Sequence, residues 1–160
     1  MDDRVPFEDF FKAEQHRLFG ALCLLTHDRM EAEEIGQEAF VRVWERWDRV
    51  SVMADPTGYL YRVAMNLFRS RYRRAKRKGR LVFDHDRTAD ELASVEDRDE
   101  VSRYLAQLIP QQRAAVVLTV LLDLTSEEAG HMLGLKASTV RVLTTRARAT
   151  LRAEASRDRS

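Results

Sequence analysis

Five polar residues, Arg62, Asn66, Arg69, Arg73 and Lys76, follow one another at steps of four, three, four and three, so on a helix they fall in one row. Arginine and lysine there supply an affinity for phosphate that is strong but blind to sequence. The single amide differs in kind, because Asn66 can both donate to and accept from a base edge and so discriminate. Rings interleave with these cations at Tyr59, Tyr61, Phe68 and Tyr72, where they are expected to stack on unpaired bases. No acidic residue occurs from Pro56 to Arg80, whereas a merely solvated helix face mixes signs. A second acid-free row, Arg141, Thr145, Arg148 and Arg152, follows Ser138 and Thr139. Those two stand at a helix N-terminus, where free backbone N–H groups also favour phosphate. Both rows point to a bound polyanion and not to covalent chemistry.

Nothing in the chain competes with that reading. There is no Gly-rich phosphate loop and no Cys/His or Ser/His pairing, so no catalytic residue and no cofactor is expected. Cys23 is the only cysteine, and His16, His27, His85 and His131 are far apart, which argues against a metal site. No apolar run approaches the roughly 18 residues that cross a bilayer, and the N-terminus is acidic where a leader would be basic. The expectation is a cytoplasmic chain with no membrane insertion.

Helices must position both rows. The 160 residues contain only 3 Pro and 6 Gly, and long stretches rich in Ala, Leu, Arg and Glu show no strand alternation. A first helix is expected over 7–26, with Phe7, Phe10, Phe11, Leu18, Ala21, Leu22 and Leu25 inward. Asp28 and Glu31 suit the start of a second, which carries Ala32, Ile35, Ala39, Phe40, Val43 and Trp47. After a break over 48–55, Asp55 caps and Pro56 opens a long helix reaching about Arg77, with Leu60, Val63, Ala64 and Leu67 as its apolar stripe.

The net charge of +1 is a cancellation. Eight basic residues lie between Arg69 and Arg80, and eight acids follow between Asp84 and Glu100. The predicted organisation is therefore all-α: two small helical domains, 1–78 and 95–160, joined by a flexible acidic linker over 79–94. In the second domain Val101, Leu105 and Leu108 face inward on one helix, and Pro110 starts the next. Thr125 to Glu128 forms a capping box for a short helix, Gly134 suits its left-handed end, and Ser138 is expected to cap the last helix. Those last two helices have the dimensions of a helix-turn-helix.

These residues together resemble a known family. Glu31-Ala-Glu-Glu-Ile-Gly-Gln-Glu-Ala-Phe-Val-Arg-Val-Trp44 resembles conserved region 2.2 of sigma-70-type factors, in the form carried by extracytoplasmic-function (ECF) members. Tyr59-Leu-Tyr-Arg-Val-Ala-Met-Asn-Leu67 and the arginine run after it are similar to regions 2.3 and 2.4. Leu108-Ile-Pro-Gln-Gln-Arg113 and the stretch from Leu124 to Leu151 are similar to region 4. Three motifs in the family's order cover nearly the whole chain outside the linker and termini.

The resemblance implies roles residue by residue. Glu34, Gln37, Glu38, Arg42 and Trp44 become contacts to the clamp helices of the β′ subunit of core RNA polymerase, with part of Trp44 and Phe40 serving the domain core. Asn66 and the loop from Asp48 to Asp55 would hold a base of the melted −10 strand. Arg62, Arg69, Arg73 and Lys76 would hold its phosphates. Ser138, Thr139, Arg141, Thr145, Arg146 and Arg148 would read the duplex −35 element, while the helices from Val101 to Leu122 dock on the β flap. The acidic tether resembles the family's linker through the RNA-exit path, and an anti-sigma protein is the implied regulator.

Three departures stand out. The loop Arg49-Val-Ser-Val-Met-Ala54 is apolar and lacks an aromatic that some relatives carry. Ala129-Gly130 replaces the usual Ile-Ala, which weakens helix propensity by up to about 1 kcal/mol. Leu143-Thr144 stands where relatives often have Arg-Leu, removing one expected phosphate contact.

Two other classes deserve comparison with a promoter-specificity subunit. A sigma mimic would titrate an anti-sigma factor without touching DNA, and a stand-alone helix-turn-helix repressor would leave the Glu31–Trp44 signature without a purpose. Charge reversal separates the first: Arg69→Glu with Arg73→Glu should abolish promoter-dependent initiation, whereas a mimic would keep its function.

Overall fold

A computed structural model describes residues 4–78 and 99–160, so the expected tether over 79–94 lies outside the described residues. Among the described residues every regular element is helical. The chain divides into two compact units, drawn from 1–23 with 30–81 and from 24–29 with 82–160.

The first unit is built on α1 (Phe7–Thr26) as far as Cys23, α2 (Arg29–Glu45) from Met30, α3 (Trp47–Val50) and α4 (Pro56–Arg77). Its core takes Leu18 and Leu22 from α1, Ala32, Ile35, Ala39 and Val43 from α2, and Leu60, Ala64 and Met65 from α4. Each set recurs at three- and four-residue steps, so one stripe per helix leaves water. Aromatic rings close one end of the unit. Phe11 meets Phe40 edge-on at 4.8 Å, Phe10 lies 5.0 Å from Trp47, and the Trp47 indole donates to the Val5 carbonyl at 3.2 Å.

Here the structure differs from the sequence reading. Trp47 does not continue α2, because Arg46 leaves helical geometry at φ −116° and ψ 21° and a new turn, α3, begins. The expected break therefore shrinks to residues 51–55, with Val50 fully buried as its anchor. The opening of α4 is as read: the Asp55 carboxylate accepts from the Gly58 N–H at 2.9 Å, and Pro56 occupies the first position.

The second unit carries α5 (Asp99–Ala106), α6 (Pro110–Val116), a π-helical turn over Val117–Leu121, α7 (Ser126–Leu133) and α8 (Ala137–Asp158). Leu105 and Leu108 are buried as expected, but Val101 is exposed. Sequence periodicity did not reveal the π turn, in which the Leu122 N–H reaches the Val117 carbonyl five residues back at 3.0 Å. Two polar links tie α5 into place. Tyr104 donates to the Asp158 carboxylate at 2.9 Å, joining α5 to the far end of α8. Buried Arg113 donates to the carbonyls of Leu105 and Leu108, each at 3.1 Å, satisfying groups at the C-terminal end of α5. Burial pulls the Arg113 guanidinium down to about 10, still charged at neutral pH. Arg113 also donates to the Leu25 carbonyl at 3.1 Å, so Arg113→Leu should leave three carbonyls without this donor and cost about 2–4 kcal/mol, read as a lower urea midpoint for the full chain.

Candidate nucleic-acid interface

The first candidate surface is the outward side of α4. Arg62, Asn66 and Arg73 are exposed and Arg69 is half-buried, opposite the side that enters the core. Lys76 lies on the same helix, but its side chain falls outside the described residues. Among the described residues no carboxylate lies within ion-pair distance of Arg62, Arg69 or Arg73.

Two of the four rings expected beside these cations are elsewhere. Tyr61 and Phe68 are buried and cannot stack on a base. Burial pushes the Tyr61 phenol up to about 12, its hydroxyl has no hydrogen-bond partner among the described residues, and the Arg17 guanidinium lies 5.9 Å from the ring centre. The available signal was the spacing of Tyr61, Met65 and Phe68, which runs beside Leu60, Ala64 and Leu67 and makes the seam two residues wide. Tyr59 and Tyr72 stay half-buried, with Tyr72 stacked on Phe68 at 6.3 Å. In the short loop ahead of α4, Val52 and Met53 are exposed.

The second surface is on α2, where Glu34, Gln37, Arg42 and Trp44 are exposed and Glu38 is half-buried. Trp44 is 61% exposed while Phe40 is buried, so the two aromatics divide cleanly between surface and core. The charged members do not stand alone. Arg71 of α4 donates to Glu34 at 2.8 Å and lies 3.7 Å from Glu38, which in turn accepts from Arg42 at 2.9 Å. The Glu34 hydrogen bond, with the nearby carboxylates, holds the Arg71 guanidinium above its ordinary value. Sequence reasoning counted Arg71 only among the basic run. Its partners lie 37 and 33 positions away, on a helix whose packing is tertiary.

The third surface is the helix-turn-helix. Thr125 caps α7, its hydroxyl accepting from the Glu128 N–H at 3.1 Å while Glu128 accepts from the Thr125 N–H at 3.2 Å. Gly134 turns left-handed at φ 69°, and its N–H and that of Leu135 both reach the Gly130 carbonyl, the latter at 2.8 Å. A Cβ on Gly130 would lie 2.6 Å from the Leu135 carbonyl oxygen. The glycine that looked like a weak point in a helix is what lets the turn close.

On α8 Val140, Leu143 and Ala147 are buried, and Ser138, Thr139, Arg141, Thr145, Arg146 and Arg148 are all exposed. Ser138 is not the cap. The helix starts at Ala137, with Lys136 in the flanking extended position, so Ser138 and Thr139 belong to the first turn. Arg141 lies 3.4 Å from Glu127 of α7, and Thr145 donates its hydroxyl to the Arg141 carbonyl at 2.9 Å. Position 143, where an arginine contact was missed, points into the core.

Comparison with known proteins joins these surfaces. The family Sigma-70 region 2 matches residues 10–78, and Sigma-70 region 4 matches residues 98–151. The chain belongs to the sigma-70 family. Within that family it falls in the ECF group. It is 32% identical over 153 residues to an RNA polymerase sigma-E factor of Streptomyces avermitilis, covering 94% of this chain and 85% of that one. It is 25% identical over 166 residues to the ECF sigma factor SigW of Bacillus subtilis, covering 94% and 89%. Among solved structures, the sigma factor RpoE of Bartonella quintana, bound to the anti-sigma factor NepR, shares its fold with a TM-score of 0.69. That likeness covers 92% of this chain and 94% of that one at 19% identity. CnrH, in complex with the cytosolic domain of CnrY, gives 0.62 at 26% identity, covering 95% and 88%. The sigma region 4 of this chain thus contains the Gly130 turn. Gly130→Ala should destabilise it by about 1–3 kcal/mol in chemical denaturation, against the gain of about 1 kcal/mol that helix propensity alone would give.

Proposed function

We propose that this chain is a promoter-specificity subunit, which binds core RNA polymerase, recognises −35 and −10 elements and assists promoter melting. The observation that carries the reading is the pairing of an acid-free donor row on α4, in the part matched to region 2, with a second on α8, in the part matched to region 4. Phosphate contacts alone position a protein on DNA, and Asn66 and the first turns of α8 add groups able to distinguish bases.

The roles follow from that division. Arg62, Arg69, Arg73 and Lys76 hold phosphates of the melted −10 strand, and Asn66 with the loop before α4 receives a base. Ser138, Thr139, Arg141, Thr145, Arg146 and Arg148 face the −35 duplex. Glu34, Gln37, Glu38, Arg42 and Trp44 meet the β′ clamp helices. Their charge network and one large exposed ring suit an interface with an aromatic anchor and a polar rim. The second unit docks on the β flap through the segment ending at Leu122. An anti-sigma protein is the regulator we assign, supported by the complex with an anti-sigma factor in which RpoE was solved. The work is binding, in the cytoplasm where polymerase is, with no covalent step. No helix among the described residues is long and apolar enough to cross a membrane.

Run-off transcription with core polymerase on a genomic fragment library should yield discrete start sites that depend on the added chain. Asn66→Ala should reduce initiation at those sites roughly 10-fold, the cost of about one bidentate base contact, while leaving association with core unchanged. Absence of any binding to core would reject the proposal.

A further inference from the structure

Val142 has no place in the roles assigned so far. It is 46% exposed, and no other large apolar side chain on α8 is exposed. Its neighbours one helical turn away are Ser138, Thr139, Thr145 and Arg146, all exposed, so it sits at the centre of the surface assigned to duplex DNA and not at its edge. An exposed valine gains nothing from water, and its branched Cβ lowers helix propensity relative to alanine. The polar groups around it are partly committed already: Thr145 donates to the Arg141 carbonyl, and Arg141 is paired with Glu127.

A recognition helix reads base edges with the residues of its first turns, and Val142 is the sixth residue of α8. In the major groove the base edges offer donors and acceptors and one apolar group, the C5-methyl of thymine. An isolated hydrocarbon among hydroxyls and guanidinium groups matches that group better than any donor or acceptor on the base edges. We infer that Val142 is a specificity-determining residue that packs on a thymine methyl of the −35 element. The inference rests on the promoter-recognition reading and adds to it the base that is recognised and the chemistry of recognition.

The test uses holoenzyme assembled from core polymerase and the full chain. A duplex library randomised over the −35 region is first selected for binding, and each thymine of the selected element is then replaced singly by deoxyuridine, which removes only the methyl. At one position the wild type should lose about four-fold in affinity, the worth of one buried methyl group. Val142→Ala should bind the thymine duplex about four-fold more weakly and show no further loss with deoxyuridine at that position. Alanine is the better helix former at this exposed site, so a defect would not come from unfolding. Undiminished sensitivity to deoxyuridine in the variant, or a selected element in which no methyl matters, would overturn the inference and leave promoter recognition standing. Failure to select any duplex would overturn both.

Discussion

Everything the first unit offers a partner depends on how α4 is rotated about its own axis. Leu60, Ala64 and Met65 are fully buried, with Tyr61, Leu67 and Phe68 flanking them, and this broad seam admits one orientation. A helix turns about 100° per residue, so fixing the inward side also fixes which residues look out. Arg62, Asn66 and Arg73 are therefore held in a row by hydrocarbon packing they take no part in. The same helix sends Arg71 sideways to Glu34 and Glu38 of α2. One rotational setting thus governs both the row assigned to DNA and the charges assigned to polymerase.

Exposed ion pairs of this kind contribute little stability, from nothing to about 1 kcal/mol each. The network of Arg42, Glu38, Arg71 and Glu34 is better regarded as a means of arranging charge than of holding the fold. It fixes where two carboxylates stand and leaves Trp44 of the same helix uncovered. The contrast with Arg113 is instructive. That guanidinium is buried, meets backbone carbonyls and has no carboxylate among its hydrogen-bond partners, so its contribution is structural.

What could be read from the sequence was mainly local. The caps at Asp55, Thr125 and Gly134 and the inward stripes of α2 and α8 depend on residues within a turn or two of each other, and they stand where spacing put them. The donor rows were legible because acids are missing from them, a property of composition. Features set by distant partners were not legible. Arg71 looked like one cation in a run, Tyr61 and Phe68 looked like stacking rings until the second width of the seam was known, and Gly130 looked costly until the Leu135 carbonyl was seen against it. The π turn carries an extra residue per turn that no apolar repeat announces.

The hydrogen bond between Tyr104 and Asp158 gives α8 a mechanical character. At 22 residues the helix is a rod of about 33 Å, and Asp158 is its last residue while Ser138 and Thr139 lie at the opposite tip. The rod is gripped near that tip by buried Val140 and Leu143 and tied at its tail by this bond. A tilt of a few degrees about that grip would swing the tail by about an ångström, enough to lengthen the tail bond beyond hydrogen-bond range. A tyrosine–carboxylate pair at the far end of α8 therefore helps to hold the angle at which the tip is presented.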